Sequence, residues 1–173
     1  MQPLLALTLA AAWIVAGGDP ATCPQHAEHA AQKEKDQRFA DTKARGARAM
    51  GFDQDRTTHK FVKHEDGGAI EVTVNDPKDA VNLSAIRKHL RQIAQDFAQG
   101  DFRSPLATHA ELPAGAAAMQ AAKDKITYRF EELPGGARVR IATRDPEALK
   151  AIHEFMGYQV REHRTGDTTE HKH

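Results

Sequence analysis

The chain has 173 residues, with 24 Lys+Arg balanced by 24 Asp+Glu, ten histidines and a single cysteine. That length holds one domain or two very small ones, and zero formal charge argues against a dedicated nucleic-acid binder, whose domain is visibly basic. One cysteine excludes an internal disulfide framework and any cysteine-rich zinc module.

Leu4 to Val15 form an unbroken run, LLALTLAAAWIV, in which Thr8 is the sole polar residue. It is too short for a spanning helix, which needs roughly 20 residues. With Ala16 and Gly18 at the positions a signal peptidase reads, it fits the apolar core of a secretory signal. The expectation is a signal peptide over 1–18, a mature chain starting near Asp19, and a periplasmic or secreted location. The segment before the run carries no Lys or Arg, and Pro20-Ala21-Thr22 before Cys23 is a poor lipobox. No second hydrophobic run follows, so no membrane span is expected in the mature chain.

Residues 19–49 read as a charged N-terminal helix or linker. From Gln25 to about Ala49 the chain is rich in Ala, Lys and Glu, with no Pro, and no Gly before Gly46. A solvated helix follows, with a thin apolar stripe that includes Ala31, Phe39 and Ala47.

The remainder, 50–167, carries an internal repeat, with units over 57–101 and 126–167 and a tail over 168–173. FVKHEDGGAIEVTVNDP from Phe61 matches FEELPGGARVRIATRDP from Phe130 at an offset of 69. Both segments alternate apolar and polar residues around a Gly-Gly pair, the pattern of a hairpin with the glycines in its turn. After the Asp-Pro the offset falls to 66, and Leu83, Ala85, Ile86 and Leu90 meet Leu149, Ala151, Ile152 and Met156. Asp145 before Pro146 reads as a helix N-cap, and Gly100 and Gly166 read as helix stops. The linker, Phe102 to Lys125, contains Pro105, Pro113 and a short Ala-rich helix around Ala116 to Ala122. The expected fold class is α+β. The duplicated ββα unit forms a four-stranded antiparallel sheet with helices packed on one face, plus the N-terminal helix.

The repeat assigns environments to the histidines. His59 falls opposite Tyr128, His89 opposite Phe155, and His163 opposite Phe97. His153 sits at the edge of the second helix's apolar stripe. A histidine in an aromatic's place serves either as an amphipathic core residue or as a ligand. Neutral imidazole is the commonest metal ligand, and burial keeps it neutral. The candidate metal ligands are therefore His59, His89, His109, His153 and His163, with Met50 as a soft donor and His109 in a proline-bounded loop free to swing over the site. Met119 is a further soft candidate. His26, His29, His64, His171 and His173 read as exposed. Imidazole with thioether suits copper, and imidazole with carboxylate suits zinc or iron. Copper is favoured, with zinc or a His-ligated haem as lesser readings and no cofactor at all as the open alternative.

Met50-Gly51-Phe52-Asp53, Thr57-Thr58-His59, Ile86-Arg87-x-His89-Leu90 and Gly100-Asp101-Phe102 form a recognisable series. Ile152-His153-Glu154-Phe155, Gln159, His163 and Thr165-Gly166-Asp167 complete it. Over about Arg45 to Asp167 the chain resembles a group of small exported bacterial proteins whose motifs carry no assigned chemistry. Many relatives have a second histidine after Thr-Thr-His, where this chain has Lys60. Some relatives are labelled aspartate carbamoyltransferase. The label fails on chemistry, since that enzyme needs a Ser-Thr-Arg-Thr-Arg phosphate segment, which this chain lacks, and two large α/β domains, which 173 residues cannot supply.

No Gly-x-Ser-x-Gly elbow, P-loop, GxGxxG, HExxH or CxxC is present. Catalytic and organic-cofactor residues are accordingly assigned to none. The leading reading is an exported protein that binds a transition metal through converging histidines. A cofactor-free structural or interaction domain of the cell envelope, docking an envelope partner, is the alternative, and a small His-dependent enzyme is the third.

Overall fold

The computed structural model describes residues 24–165. The expected signal segment, Cys23, Gly166 and the 168–173 tail lie outside the described residues. Two units divide the chain, Met1–Asp36 and Gln37–His173. The described part of the first is helical, the opening turns of α1 (Pro24–Met50), and its side chains from 27 to 36 are exposed. Gln32 Nε2 there donates to Asp36 Oδ1 one turn on, at 3.0 Å.

In the second unit α1 continues to Met50. The elements that follow are β1 (Thr57–His64), β2 (Gly67–Val74), α2 (Ala80–Ala98), α3 (Arg103–His109), α4 (Ala116–Ala121), β3 (Ile126–Leu133), β4 (Gly136–Thr143) and α5 (Pro146–His163). The class is α+β. The four strands form one antiparallel sheet in the order β1-β2-β4-β3, with α2 and α5 on one face. Strand alternation sends Phe61, Ile70, Val72, Val139 and Ile141 inward against Ile86, Leu90, Phe97, Ile152, Phe155 and Met156. Fully burying an apolar side chain of this size is worth about 1.5–3 kcal/mol, so this layer dominates stability.

The duplication is visible in the hydrogen-bonded register. At the sheet centre Gly67 pairs with Ala142, and Thr73 pairs with Gly136. A Cβ on Gly67 would lie 2.0 Å from the Ile141 carbonyl oxygen, and one on Gly136 would lie 1.9 Å from that of Val72. These two contacts are the same contact seen from each repeat. Gly135 stands in its hairpin turn as expected, but Gly67, Gly68 and Gly136 do not. The turns are Glu65-Asp66 and Pro134-Gly135, and Gly67 and Gly136 open the inner strands where the two repeats touch.

Helix ends follow local chemistry. Asp145 accepts from Glu147 N and Ala148 N, with Pro146 opening α5, as expected. In the first repeat Asp79 caps α2 through Asn82 N. Asp79 lies 66 residues before Asp145, and the three extra residues after Pro77 are the source of the offset change. Gly100 adopts φ +76 just beyond α2, the left-handed stop expected of it. Helix α5 instead stops at Arg164, which takes φ 50.

Two further expectations are corrected. The stripe of α1 within the second unit is Phe39, Thr42, Gly46 and Met50, at three- and four-residue spacing, whereas Ala31 and Ala47 are exposed. The linker also holds a helix the sequence reading lacked, α3, which ends at His109.

The other face of the sheet is built of charge. Lys60, Glu71, Arg138 and Glu131 stand opposite one another across all four strands. Arg138 donates to Glu131 at 2.8 Å and to Glu71 at 3.2 Å. Alternating opposite charges across strands stabilise a solvated face, and this one needs no covering layer.

Candidate functional site

At one end of the core, five of the six expected ligands line a single cavity of ≈ 60 Å³: Met50, His59, His89, His109 and His163. His59 points inward from β1 because it alternates in phase with Phe61, and His89 does so from α2 because it lies three residues after Ile86. Met50, His109 and His163 are the last residues of α1, α3 and α5. Three helix C-termini, each carrying partial negative charge, therefore end at this corner.

The rings stand close together. His163 lies 5.6 Å from His59 between ring centres, nearly parallel to it, and 5.1 Å from His109, edge to face. Phe52 stacks on His59 at 5.6 Å and meets His89 edge-on at 5.8 Å. His109 Nε2 is 3.0 Å from Gln159 Oε1. With that oxygen as acceptor, Nε2 carries the proton and Nδ1 keeps its lone pair. His109 Nδ1 and His59 Nε2 are both buried without a hydrogen-bond partner.

All four imidazoles are held neutral. Burial brings His59 down to about 4, with repulsion from His89 second. Burial likewise brings His89 to about 4, against an opposing pull from Asp96. His163 falls to about 3 through burial and then through His59 and His109. His109 is lowered chiefly by burial, while Gln159, Glu162 and Glu111 act in the opposite direction and Arg45 adds to the lowering. Neutral rings present lone pairs, the form a metal requires.

A second, more polar hollow of ≈ 250 Å³ shares His59 and His163 with the first and is lined by Thr42, Thr57, Asp55 and Glu162. The Lys43–Asp55 ion pair stands at this hollow. Arg38 bridges Glu111 and Glu162 nearby, and Tyr158 donates to Glu111 at 2.7 Å while its ring edge rests on His109.

The repeat relation supplies a comparison inside the molecule. The partners of His59, His163 and His89 are Tyr128, Phe97 and Phe155, and these too form one cluster. Phe97 meets both Tyr128 and Phe155 edge-on at 5.8 Å. The same arrangement thus occurs twice, once filled by aromatic rings and once by imidazoles, and Phe97 and Phe155 line the imidazole cavity as well.

His153 does not join the cavity. Its Nε2 faces the His64 and Gly67 carbonyl oxygens at 2.9 and 3.1 Å, and its ring lines a separate groove. His109 is not on a swinging loop; it is 6% exposed at the end of α3 and tied to Gln159. Met119 is fully buried in the core and does not line the cavity. Sequence reasoning missed Phe52 and Gln159 as parts of the corner. The signal for Gln159 was its spacing, one turn before His163 and one turn after Phe155 on the inward stripe of α5. Among the described residues, no three His, Cys, Asp or Glu side chains already stand in the arrangement of a metal site. No helix among them is long and apolar enough to cross a membrane.

Comparison with family models, curated proteins and solved structures finds no match to this chain.

Proposed function

We propose that this is an exported bacterial protein that binds a transition-metal ion, copper in particular, through His59, His89, His109 and His163 with Met50. The observation that carries the reading is the contrast between the two corners. At the repeat-related corner this place is filled by Tyr128 and Phe155 of the second repeat and Phe97 of the first, so the fold itself calls only for aromatic rings there. The imidazole corner instead leaves His59 Nε2 and His109 Nδ1 buried without partners, at a cost of about 1–3 kcal/mol for each unsatisfied group. A ligand that uses those lone pairs offsets the cost.

The chemistry of the donors favours a soft or borderline cation. Neutral imidazole and thioether together suit Cu(I), and the three helix C-termini favour positive charge. Two imidazoles sharing one ion hold their ring centres roughly 5–6 Å apart, given metal–nitrogen bonds near 2 Å. The separations of 5.1 and 5.6 Å around His163 fall in that range. The nearly parallel His59 and His163 rings must turn before both aim at one ion. A space of ≈ 60 Å³ suits an ion rather than a macrocycle, since pockets for larger ligands run to about 300–1,000 Å³. Gln159 fixes the His109 ring from behind, the outer support that histidine ligands commonly have.

The test compares wild-type protein with the variant His59→Tyr/His89→Phe/His163→Phe, which rebuilds the aromatic corner of the sister repeat. Wild-type protein expressed in rich medium should carry stoichiometric copper or zinc by elemental analysis, and its melting temperature should rise with added metal. The variant should fold, lack metal and ignore added metal. Metal-free wild-type protein whose melting temperature ignores both copper and zinc would leave the cofactor-free envelope domain as the reading.

A further inference from the structure

The residue that left the histidine cluster points to a different site. His153 lines a groove of ≈ 520 Å³ that runs along α5, with Lys63, Lys150, Glu154, Gly157 and Arg161 among its walls. Lys150, His153, Gly157 and Arg161 follow one another at three- and four-residue intervals and so share one face of the helix. From Lys150 to Arg161 that face extends about 16 Å at the rise of an α-helix. Lys63 approaches from β1.

Cations outnumber acids along this groove. Arg38, Arg56, Arg87, Arg91, Arg103, Arg138 and Arg140 each hold a carboxylate. Among the described residues, the side chains of Lys63, Lys150 and Arg161 make no ion pair or hydrogen bond. Glu154 is the one acid in the groove. Two of the cations face the same empty point. A methyl group added to Gly157 would lie 3.6 Å from Lys63 Nζ and 3.6 Å from Arg161 Nη1. Like charges converging on a gap, with no side chain in it and no carboxylate across it, repel each other until an anion sits between them.

We propose that this groove binds a multivalent oxyanion, the phosphate or polycarboxylate portion of a small molecule, with the anionic group held over Gly157 by Lys63 and Arg161. Lys150 engages a second anionic group further along the helix. Arg161 contributes paired N–H donors matched to an oxyanion, and Lys63 a point charge. His153 is a positioning residue. By donating Nε2–H to the carbonyls of His64 and Gly67 it ties α5 to the end of β1 and to the start of β2, fixing where Lys63 emerges relative to Gly157. This site is independent of the metal reading and survives its failure.

The experiment is an NMR titration of the ¹⁵N-labelled chain with inorganic pyrophosphate and, separately, with citrate, at constant ionic strength set by sodium chloride. Pyrophosphate should shift the Gly157 and Arg161 amides saturably. Lys63→Gln/Arg161→Gln should weaken binding at least tenfold with the rest of the spectrum unchanged. Gly157→Ala keeps every charge but puts a methyl group in the gap, and it should weaken binding several-fold, which diffuse attraction to a basic surface would not show. Saturation by citrate alone, lost in the same variants, would support the site and assign it to polycarboxylates. Absence of saturation with both anions would overturn it, as would equal binding by the wild-type chain and the double variant.

Discussion

Acid should unfold this protein through its histidine corner. In the unfolded chain His59, His89 and His163 titrate near 6.5, and in the fold they titrate at about 4, about 4 and about 3. Between those limits the unfolded chain binds protons that the folded chain refuses. Stability is therefore full above pH 6.5 and falls as the pH drops toward 4. Lowering a pKa from 6.5 to about 4 corresponds to about 3 kcal/mol for one ring. Two such rings reach about 6 kcal/mol, within the 5–15 kcal/mol that typically holds a domain together. The described carboxylates with lowered pKa lose their contribution only below their ordinary values, 3.8 for Asp66 and Asp145 and 4.5 for Glu111 and Glu131, so the higher window belongs to the histidines. Urea unfolding followed by circular dichroism at pH 7.5, 6 and 5 measures the effect. The wild-type midpoint should drop steeply over this series, the unfolding free energy falling by about 1.4 kcal/mol per pH unit for each ring engaged. The His59→Tyr/His89→Phe/His163→Phe variant should change little. Equal stability of the wild type at pH 7.5 and pH 5, or a variant with the same slope, would refute the reasoning.

Three further outcomes follow from the fold. Gly67→Ala and Gly136→Ala should each destabilise by about 3 kcal/mol or more, because the added Cβ meets a carbonyl oxygen at 2.0 or 1.9 Å with no flexible group to yield. Similar losses of urea midpoint at both positions are required if the repeats are equivalent, and a loss at only one would break that relation. Tyr128→Phe should leave stability unchanged or raise it by about 1 kcal/mol, since the buried hydroxyl has no partner. A measured loss above that size would mean that the hydroxyl is satisfied. Asp145→Ala should cost about 1 kcal/mol by removing the cap on α5 and the Lys125 ion pair, read as a fall in melting temperature.

Much of this architecture was legible because it is written twice. The match of Phe61, Ile70 and Val72 to Phe130, Val139 and Ile141 sets strand phase, and strand phase turns His59 inward. The match of His163 to Phe97 places a terminal helical residue inside the corner. What escaped the sequence was unrepeated or non-local. Helix α3 is seven residues long and follows a non-standard cap, Phe102, so no periodic signal marks it. Its last residue, His109, is fixed by Gln159 from fifty positions away. His153 lies at the border of its helical stripe, and only the position of the β1–β2 turn decides that its ring meets carbonyl oxygens instead of the cavity. The Gly-Gly pairs carried a hairpin signal for the right place and only partly for the right reason: Gly135 stands in a turn, while Gly67 and Gly136 answer to the close approach of two inner strands, which demands glycine as firmly as a turn does.

The central claim is that the imidazole corner holds a metal ion. It is tested most directly by a competition titration of Cu(I) against a chromophoric chelator at pH 7. The account predicts that wild-type protein withholds one equivalent of Cu(I) and that the folded variant with the aromatic corner withholds none. Equal withdrawal of copper by both proteins, or by neither, would contradict it.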